Sequence, residues 1–250
     1  QQRRAMSAYP NTADVDTDLC KLACFGVLDG VKSLVEAGQA KAEAGEEDDD
    51  ETPPFDINVK DKGGMNAFAW ASRNGHIKVA AYLAEKGADV DQASAGGLRP
   101  LHHAVNNSIE PLVALLLDLN CDVSATDDNG CTVLHWSASR GVMNIINRLI
   151  EKSADVNASN SQGIRPLHKA SMGGFESVVK KLVEYGADLD AADAEGNTAL
   201  HYAARAGFAS VVGALLACNA NRTIKNKAKQ TAQDVACDAA TRNLIAAAAS

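Results

Sequence analysis

A glycine recurs at every thirty-third position along most of the chain. The glycines are Gly64, Gly97, Gly130, Gly163 and Gly196, and Lys229 occupies the next equivalent position. A fixed period of this length is typical of small identical units that stack, because one such unit cannot bury its apolar face alone. The period therefore predicts a solenoid with one long exposed surface, not a globule around a pocket.

The residues between these glycines predict two short helices in each unit. Thr132 and Pro166 lie where a helix starts, since threonine caps a helix and proline suits its first position. A second glycine, such as Gly141, is expected to end the first helix, and an apolar run at helical spacing follows. The second helix should end in a left-handed residue, and the candidates are Gly87, Asn120, Ser153, Gly186 and Asn219.

Taken together, these motifs resemble the ankyrin repeat. The Thr-Pro-Leu-His core, the inter-helix glycine, the Val-Val-x-x-Leu-Leu helix and the Gly-Ala-Asp-Val-Asp tail recur in register from about residue 17 to 248. The resemblance implies an all-α solenoid, an ankyrin repeat stack of helix pairs with projecting β-hairpin loops. It also implies a non-catalytic module for protein–protein interaction.

The predicted organisation is a single repeat domain at 17–250 after an N-terminal segment, 1–16, that is disordered or left over from expression. Seven units including both caps start near residues 17, 64, 97, 130, 163, 196 and 229. An insertion at 40–56 follows the first unit. It holds eight acidic residues and one lysine, so it carries −7 of the total charge of −8. A solvated, flexible charge run is expected there, with binding of a basic partner or blocking of the concave groove as alternatives. The last unit is predicted to be a helix pair that finishes at 246–249.

Composition excludes several functional classes. No apolar run is long enough to cross a membrane, and an acidic chain without an extended basic stripe is a poor nucleic-acid binder. The six cysteines form no CxxC pair, which indicates the cytoplasm, with the nucleus as the alternative. Cys20 and Cys24 could hold half a metal site, but buried thiols explain them better, and we expect no cofactor or metal.

Four histidines recur at one position of the unit, and the family resemblance makes them structural. They are His102, His135, His168 and His201. In ankyrin repeats this histidine bonds locally and ties the loops of adjacent repeats. A catalytic site needs one constellation of unlike groups, not copies of one group, so we predict that the protein is not an enzyme.

The candidate partner-binding residues lie on the first helix of each unit. The column that directly follows the histidine position consists of Trp70, His103, Trp136, Lys169 and Tyr202. The resemblance places this column near the concave face, where tryptophan and tyrosine are often binding anchors. Packing in the groove between helices, or a ladder of cation–π contacts within the column, are the alternatives.

Two further sets complete the candidate surface. A second row precedes the inter-helix turn and contributes Arg73, Asn106, Asn107, Arg140 and Arg205. Arg99 and Arg165 replace the capping threonine in alternate units, and they could make the concave face mildly basic. Such a face would suit an acidic or carboxylate-bearing segment.

The function predicted from the sequence is an adaptor or scaffold that binds an unidentified protein on the concave helix-one and hairpin surface. We expect a monomer without nucleic-acid, membrane or small-molecule ligands. Two alternatives remain open: a regulatory or substrate-recognition arm of a larger enzyme, and an assembly chaperone of the gankyrin type.

Overall fold

The computed structural model describes residues 18–44 and 55–247. The predictions for 1–16 and for most of the acidic insertion, 45–54, lie outside these residues. Within the described part, thirteen α-helices and one short 3-10 segment at Ala95–Gly97 are present. The helices are α1 (Leu19–Phe25), α2 (Leu28–Ala44), α3 (Ala67–Asn74), α4 (Ile77–Glu85), α5 (Pro100–Asn106), α6 (Glu110–Asp118), α7 (Val133–Arg140), α8 (Met143–Glu151), α9 (Pro166–Gly173), α10 (Glu176–Glu184), α11 (Ala199–Ala206), α12 (Ala209–Ala217) and α13 (Ala239–Ala247).

The described chain forms two compact units. The first contains the described part of Gln1–Ala104 together with Asp118–Cys121, and the second contains Val105–Leu117 and the described part of Asp122–Ser250. In the first, α1 packs on α3; in the second, α7 packs on α9 and α9 on α11. Fully buried leucines and isoleucines fill the interior, as expected for helices with one apolar stripe.

Left-handed residues end the helices where the sequence predicts them. Asn120, Ser153 and Asn219 have φ of 57°, 65° and 66°, so these non-glycine residues take the conformation predicted for them. Gly141 needs glycine for a second reason besides its φ of 71°. A Cβ atom there would lie 2.4 Å from the Phe175 ring, which packs against it from the next repeat.

The loops between repeats are hairpin turns without extended strands. In the part of the chain that the structure describes, the β structure is limited to one antiparallel bridge, Thr126 to Thr132. Successive hairpins are linked by backbone hydrogen bonds in which the later hairpin donates. Ala95 donates to Gly63 in the first compact unit, and Ser161 donates to Asn129 in the second, at 3.4 and 3.0 Å. Ala194 to Gln162 and Lys227 to Glu195 repeat the link at 2.8 and 2.9 Å.

Two predicted boundaries need correction. Helix α2 continues to Ala44, so the first five residues of the predicted insertion at 40–56 are helical. The last unit contains α13 and a single turn before it, not a pair of α-helices. Ala239 follows Lys229 by ten residues, whereas Ala209 follows Gly196 by thirteen, so three residues are missing from the first helix.

Candidate functional site

The aromatic members of the column are held by a carboxylate nine residues earlier in the same repeat. The Trp136 indole N–H donates to Asp127 Oδ2 at 3.2 Å, and the Trp70 indole donates to Asp61 Oδ2 at 2.7 Å. The Tyr202 hydroxyl donates to Asp193 in the same way. Each ring is half-buried, so the contact fixes its orientation and leaves part of its surface open.

These aspartates are not among the predicted site residues, although a periodic signal in the sequence marks them. Aspartate and an aromatic residue occur together in alternate repeats, at 61 and 70, 127 and 136, and 193 and 202. The repeats between them have Ser94 with His103, and Asn160 with Lys169. Covariation at a period of 66 residues therefore indicates a contact that the 33-residue motif does not specify.

His103 differs from the partner-binding role predicted for it. Its side chain is 8% exposed, and Nε2 lies 3.2 Å from the Ser94 hydroxyl. Burial lowers the pKa of His103 to about 4, so the ring is neutral at pH 7. The column therefore has no positive charge at this position, so His103 cannot act as the cation of a cation–π ladder.

The row before the inter-helix turn contains two kinds of arginine. Arg73 and Arg205 stack over the ring three residues earlier, with guanidinium-to-centroid distances of 5.3 and 5.8 Å. These cation–π contacts lie within one repeat and do not form the alternative ladder along the column. Arg140 instead donates from Nη2 to Asn106 Oδ1 of the preceding repeat at 2.7 Å. The neighbouring Asn107 is exposed.

Arg99 and Arg165 contact loop residues eight positions earlier and not the column. Arg99 Nη1 donates to the Asp91 carbonyl at 3.3 Å. Arg165 Nη1 donates to Asn157 Oδ1 at 3.4 Å and lies 3.6 Å from the Asp188 carboxylate. Both side chains are therefore held by the loop segments that follow the second helices of their repeats. The proposed binding surface does not include them.

The periodic histidines bond to the starts of their own helices, and His135 and His201 also bond to a carbonyl of the next repeat. His135 Nδ1 accepts the Thr132 backbone N–H at 3.1 Å, and Nε2 lies 3.0 Å from the Ile164 carbonyl of the next repeat. This network fixes the proton on Nε2. His201 repeats both contacts, whereas His168 accepts the Arg165 N–H but its Nε2 lies 2.9 Å from the Ala191 carbonyl in the tail of its own repeat. Burial lowers the pKa of all three rings, which favours the neutral form.

Two open cavities flank Trp136. The larger, about 500 Å³, is bounded by Asn106, Ser108, Trp136, Ser139, Arg140 and Phe175. The second, about 250 Å³, lies between the hairpins and the helices and includes Trp136, Asp127, Lys169, Asn160 and Gln162. Ser108 and Phe175 are not among the predicted site residues. The tryptophan thus forms a wall shared by two recesses that a partner side chain could enter.

The second cavity also contains Cys131 and His135, and this histidine is not available there as a general base. Both ring nitrogens of His135 are already engaged, one by Thr132 and one by Ile164, so no nitrogen is available to accept a thiol proton. Within 18–44 and 55–247, no cluster of three or more His, Cys, Asp or Glu side chains could hold a metal ion.

A scan against family models matches three copies of "Ankyrin repeats", at residues 11–127, 101–193 and 134–230. The chain belongs to the ankyrin repeat family. This confirms the resemblance seen in the motifs, and the fold is that of a protein-interaction module in general. None of the helices described is both long and apolar enough to cross a bilayer.

Solved ankyrin repeat domains have a similar fold. The human ASB11 ankyrin repeat domain matches with a TM-score of 0.77 and 23% identity, over 92% of this chain and 96% of that one. The ankyrin repeat domain of Bcl-3, described as a unique member of the IkappaB protein family, matches with a TM-score of 0.76 and 22% identity, over 92% and 98%. No curated protein sequence gives a significant match. Identities this low show the fold alone.

Proposed function

We propose that this ankyrin repeat protein is a non-catalytic adaptor that binds a protein partner around Trp136. The observation that carries the proposal is the pair of cavities on either side of this half-buried indole. Arg140 bounds one cavity and Lys169 the other, so an aromatic wall lies between two cations. Tryptophan and arginine are the residues most often found as binding anchors at interfaces.

The remaining candidates contribute unequally to the proposed surface. Tyr202 and Arg205 extend it in the same compact unit, where α9 packs on both α7 and α11. Trp70 and Arg73 form a similar pair in the first compact unit. His103 is too buried to add much contact area.

Affinity capture from cells, read by mass spectrometry, tests this placement. We expect Trp136→Ala combined with Arg140→Ala to lose the partners that the wild-type protein retains. The matched control, Tyr185→Ala with Arg148→Ala, removes an exposed aromatic residue and an exposed arginine on or next to second helices of their repeats. Partners kept by the first variant, with helix content equal in all three proteins by circular dichroism, would move the site away from Trp136.

The alternatives of a larger enzyme's regulatory arm and an assembly chaperone stay predictions, because no contact in the described residues favours either. The cytoplasmic location and the monomeric state are also predictions. Size-exclusion chromatography with light scattering measures the oligomeric state directly.

A further inference from the structure

Three cations on the first helices of the second compact unit have no carboxylate partner. They are Arg140, Lys169 and Arg205, which follow one another on α7, α9 and α11. Arg140 donates to the neutral amide of Asn106, and Arg205 to that of Asn197 at 3.1 Å. Within the described residues, no Asp or Glu oxygen lies within 4 Å of any of the three, as the ion pairs found lie elsewhere.

The carboxylates nearest to these cations in the fold are already used. Asp127 accepts two backbone N–H groups and the Trp136 indole, and Asp193 accepts two backbone N–H groups and the Tyr202 hydroxyl. The exposed carboxylates at the hairpin tips, Asp128 and Glu195, form no ion pair with the cations. These three cations therefore keep their positive charge, although the whole chain carries −8.

From this charge arrangement we infer that the partner's segment at this site is extended and acidic, with carboxylates at every third residue. The inference rests on the proposed function, since it names the chemistry of the partner at the same surface. Helices that pack side by side lie about 8–10 Å apart. An extended chain advances about 3.3 Å per residue, so three residues span one repeat. A glutamate at i, i+3 and i+6 would then meet the three cations in turn.

The partner's residues between the glutamates need to contact an aromatic surface and not a cation. Between Arg140 and Lys169 the segment crosses the Trp136 indole and the two cavities beside it. Proline in these positions packs well against an aromatic face and keeps the segment extended, because the polyproline II helix advances about 3.1 Å per residue. Glutamates at every third residue with proline between them distinguish the predicted segment from a contiguous run of acidic residues.

Fluorescence anisotropy with three labelled peptides tests the inference on the full chain. The first peptide is Glu-Pro-Ser-Glu-Pro-Ser-Glu, the second has the same composition with contiguous glutamates, and the third replaces each glutamate of the first by lysine. We expect the first peptide to bind at least about tenfold more tightly than the other two, since spaced carboxylates pair with all three cations. Its affinity should fall as the salt concentration rises, because the contacts are exposed.

Charge variants locate the binding. Arg140→Gln, Lys169→Gln and Arg205→Gln together should weaken the first peptide about tenfold. The control Arg148→Gln, Lys152→Gln and Lys180→Gln removes the same charge from exposed positions on α8, just after it and on α10, and should change affinity less than twofold. Glutamate at the positions of the three cations should instead select the lysine peptide. Thermal melts verify that each variant is folded.

Two results would overturn the inference: equal binding of the spaced and contiguous acidic peptides, or equal weakening by the variant of the three cations and by the control variant. Preference of the wild-type protein for the lysine peptide would also overturn it. The adaptor function is tested separately by the capture experiment. A protein that loses its captured partner in the Trp136 variant, yet binds no acidic peptide, keeps its proposed function and contradicts only the partner chemistry.

Discussion

Repeat two, which starts near residue 64, and repeat four, which starts near residue 130, have a tryptophan at the same position. Different side chains cap the N-terminal ends of their first helices. In repeat four, His135 accepts the Thr132 N–H and bonds to the Ile164 carbonyl of the next repeat. In repeat two, Ala69 replaces the histidine. The Asn66 side chain accepts the Ala69 N–H at 2.8 Å and donates to the Asp89 carbonyl at 3.4 Å. One asparagine therefore replaces a threonine and a histidine.

The arginines after the two tryptophans differ as well. Arg73 lies three residues after Trp70 and stacks on it, whereas Arg140 lies four residues after Trp136 and bonds to Asn106 instead. A shift of one position along the helix thus changes the arginine from a cover on its own indole to a bridge between repeats. Equivalent positions in two repeats therefore hold an indole covered by an arginine in one repeat and an indole flanked by open cavities in the other.

The largest expected effect comes from removing the aspartate that holds each tryptophan. Asp127 is 6% exposed and accepts two backbone N–H groups as well as the Trp136 indole. Because Asp127→Ala leaves three donors unpaired, we expect it to lower the free energy of unfolding by about 3 kcal/mol. Asp61 has the equivalent bonds but is half-buried, so Asp61→Ala should cost about 1–2 kcal/mol.

Urea unfolding measures both losses, and Asp128→Ala is the matched control. Asp128 is exposed and adjacent in sequence, so its loss should change stability by less than about 0.5 kcal/mol. Equal losses for Asp61→Ala and Asp127→Ala would show that burial does not distinguish the two repeats.

The second largest expected difference between the two repeats is the loss of stability at acidic pH. Burial holds the pKa of His135 below its unfolded value of about 6.5, so folding favours the neutral ring. This stabilisation is fully present above pH 6.5 and is lost as pH falls toward the folded pKa, by up to about 1.4 kcal/mol per pH unit. Helix α3 has Ala69 at this position and lacks the effect. Hydrogen-exchange protection at pH 7.5 and 5.5 should therefore fall more in α7 than in α3.

The variant His135→Gln serves as the control for acid sensitivity. It removes the titrating ring, so the unfolding free energy should depend less steeply on pH below 6.5 than in the wild-type protein. An unchanged slope would assign the acid response to other groups, such as the remaining buried histidines of the second compact unit.

The smallest expected effect concerns the two arginines. Arg73→Gln removes the cation over Trp70, so stability should fall by about 0.5–1 kcal/mol. Acrylamide quenching of Trp70, measured with Trp136→Phe to leave one indole, should increase. Arg140→Gln, measured with Trp70→Phe, should leave the quenching of Trp136 nearly unchanged. A larger rise in quenching of Trp136 after Arg140→Gln than of Trp70 after Arg73→Gln would contradict the stacking difference.

Local features of the fold could be predicted because each depends on residues close in sequence. Left-handed Asn120, Ser153 and Asn219 follow from the conformational freedom needed at a helix end. The helix starts at Pro100 and Pro166 follow from proline's fixed φ. The histidine ties are implied by the family resemblance, and His135 and His201 each bond to a carbonyl of the next repeat.

Side-chain direction could not be predicted in the same way. Arg99 and Arg165 were placed on the binding surface from their position in the motif, yet their flexible side chains reach loop acceptors eight residues back. The burial of His103 depends on packing around the first helix, which no motif specifies. The period of 33 residues specifies the backbone of each repeat. The hydrogen-bond acceptor of a long side chain depends on the neighbouring residues, which differ between repeats.

The hydrogen bonds between successive hairpins give the array a polarity. In each described link the later hairpin supplies the N–H and the earlier one supplies the carbonyl, as from Ser161 to Asn129. Removal of repeats from the C-terminal side would therefore leave a hairpin that presents a backbone acceptor, whereas removal from the N-terminal side would leave one that presents a backbone donor. The two ends of such an array thus offer opposite hydrogen-bonding groups to whatever lies against them.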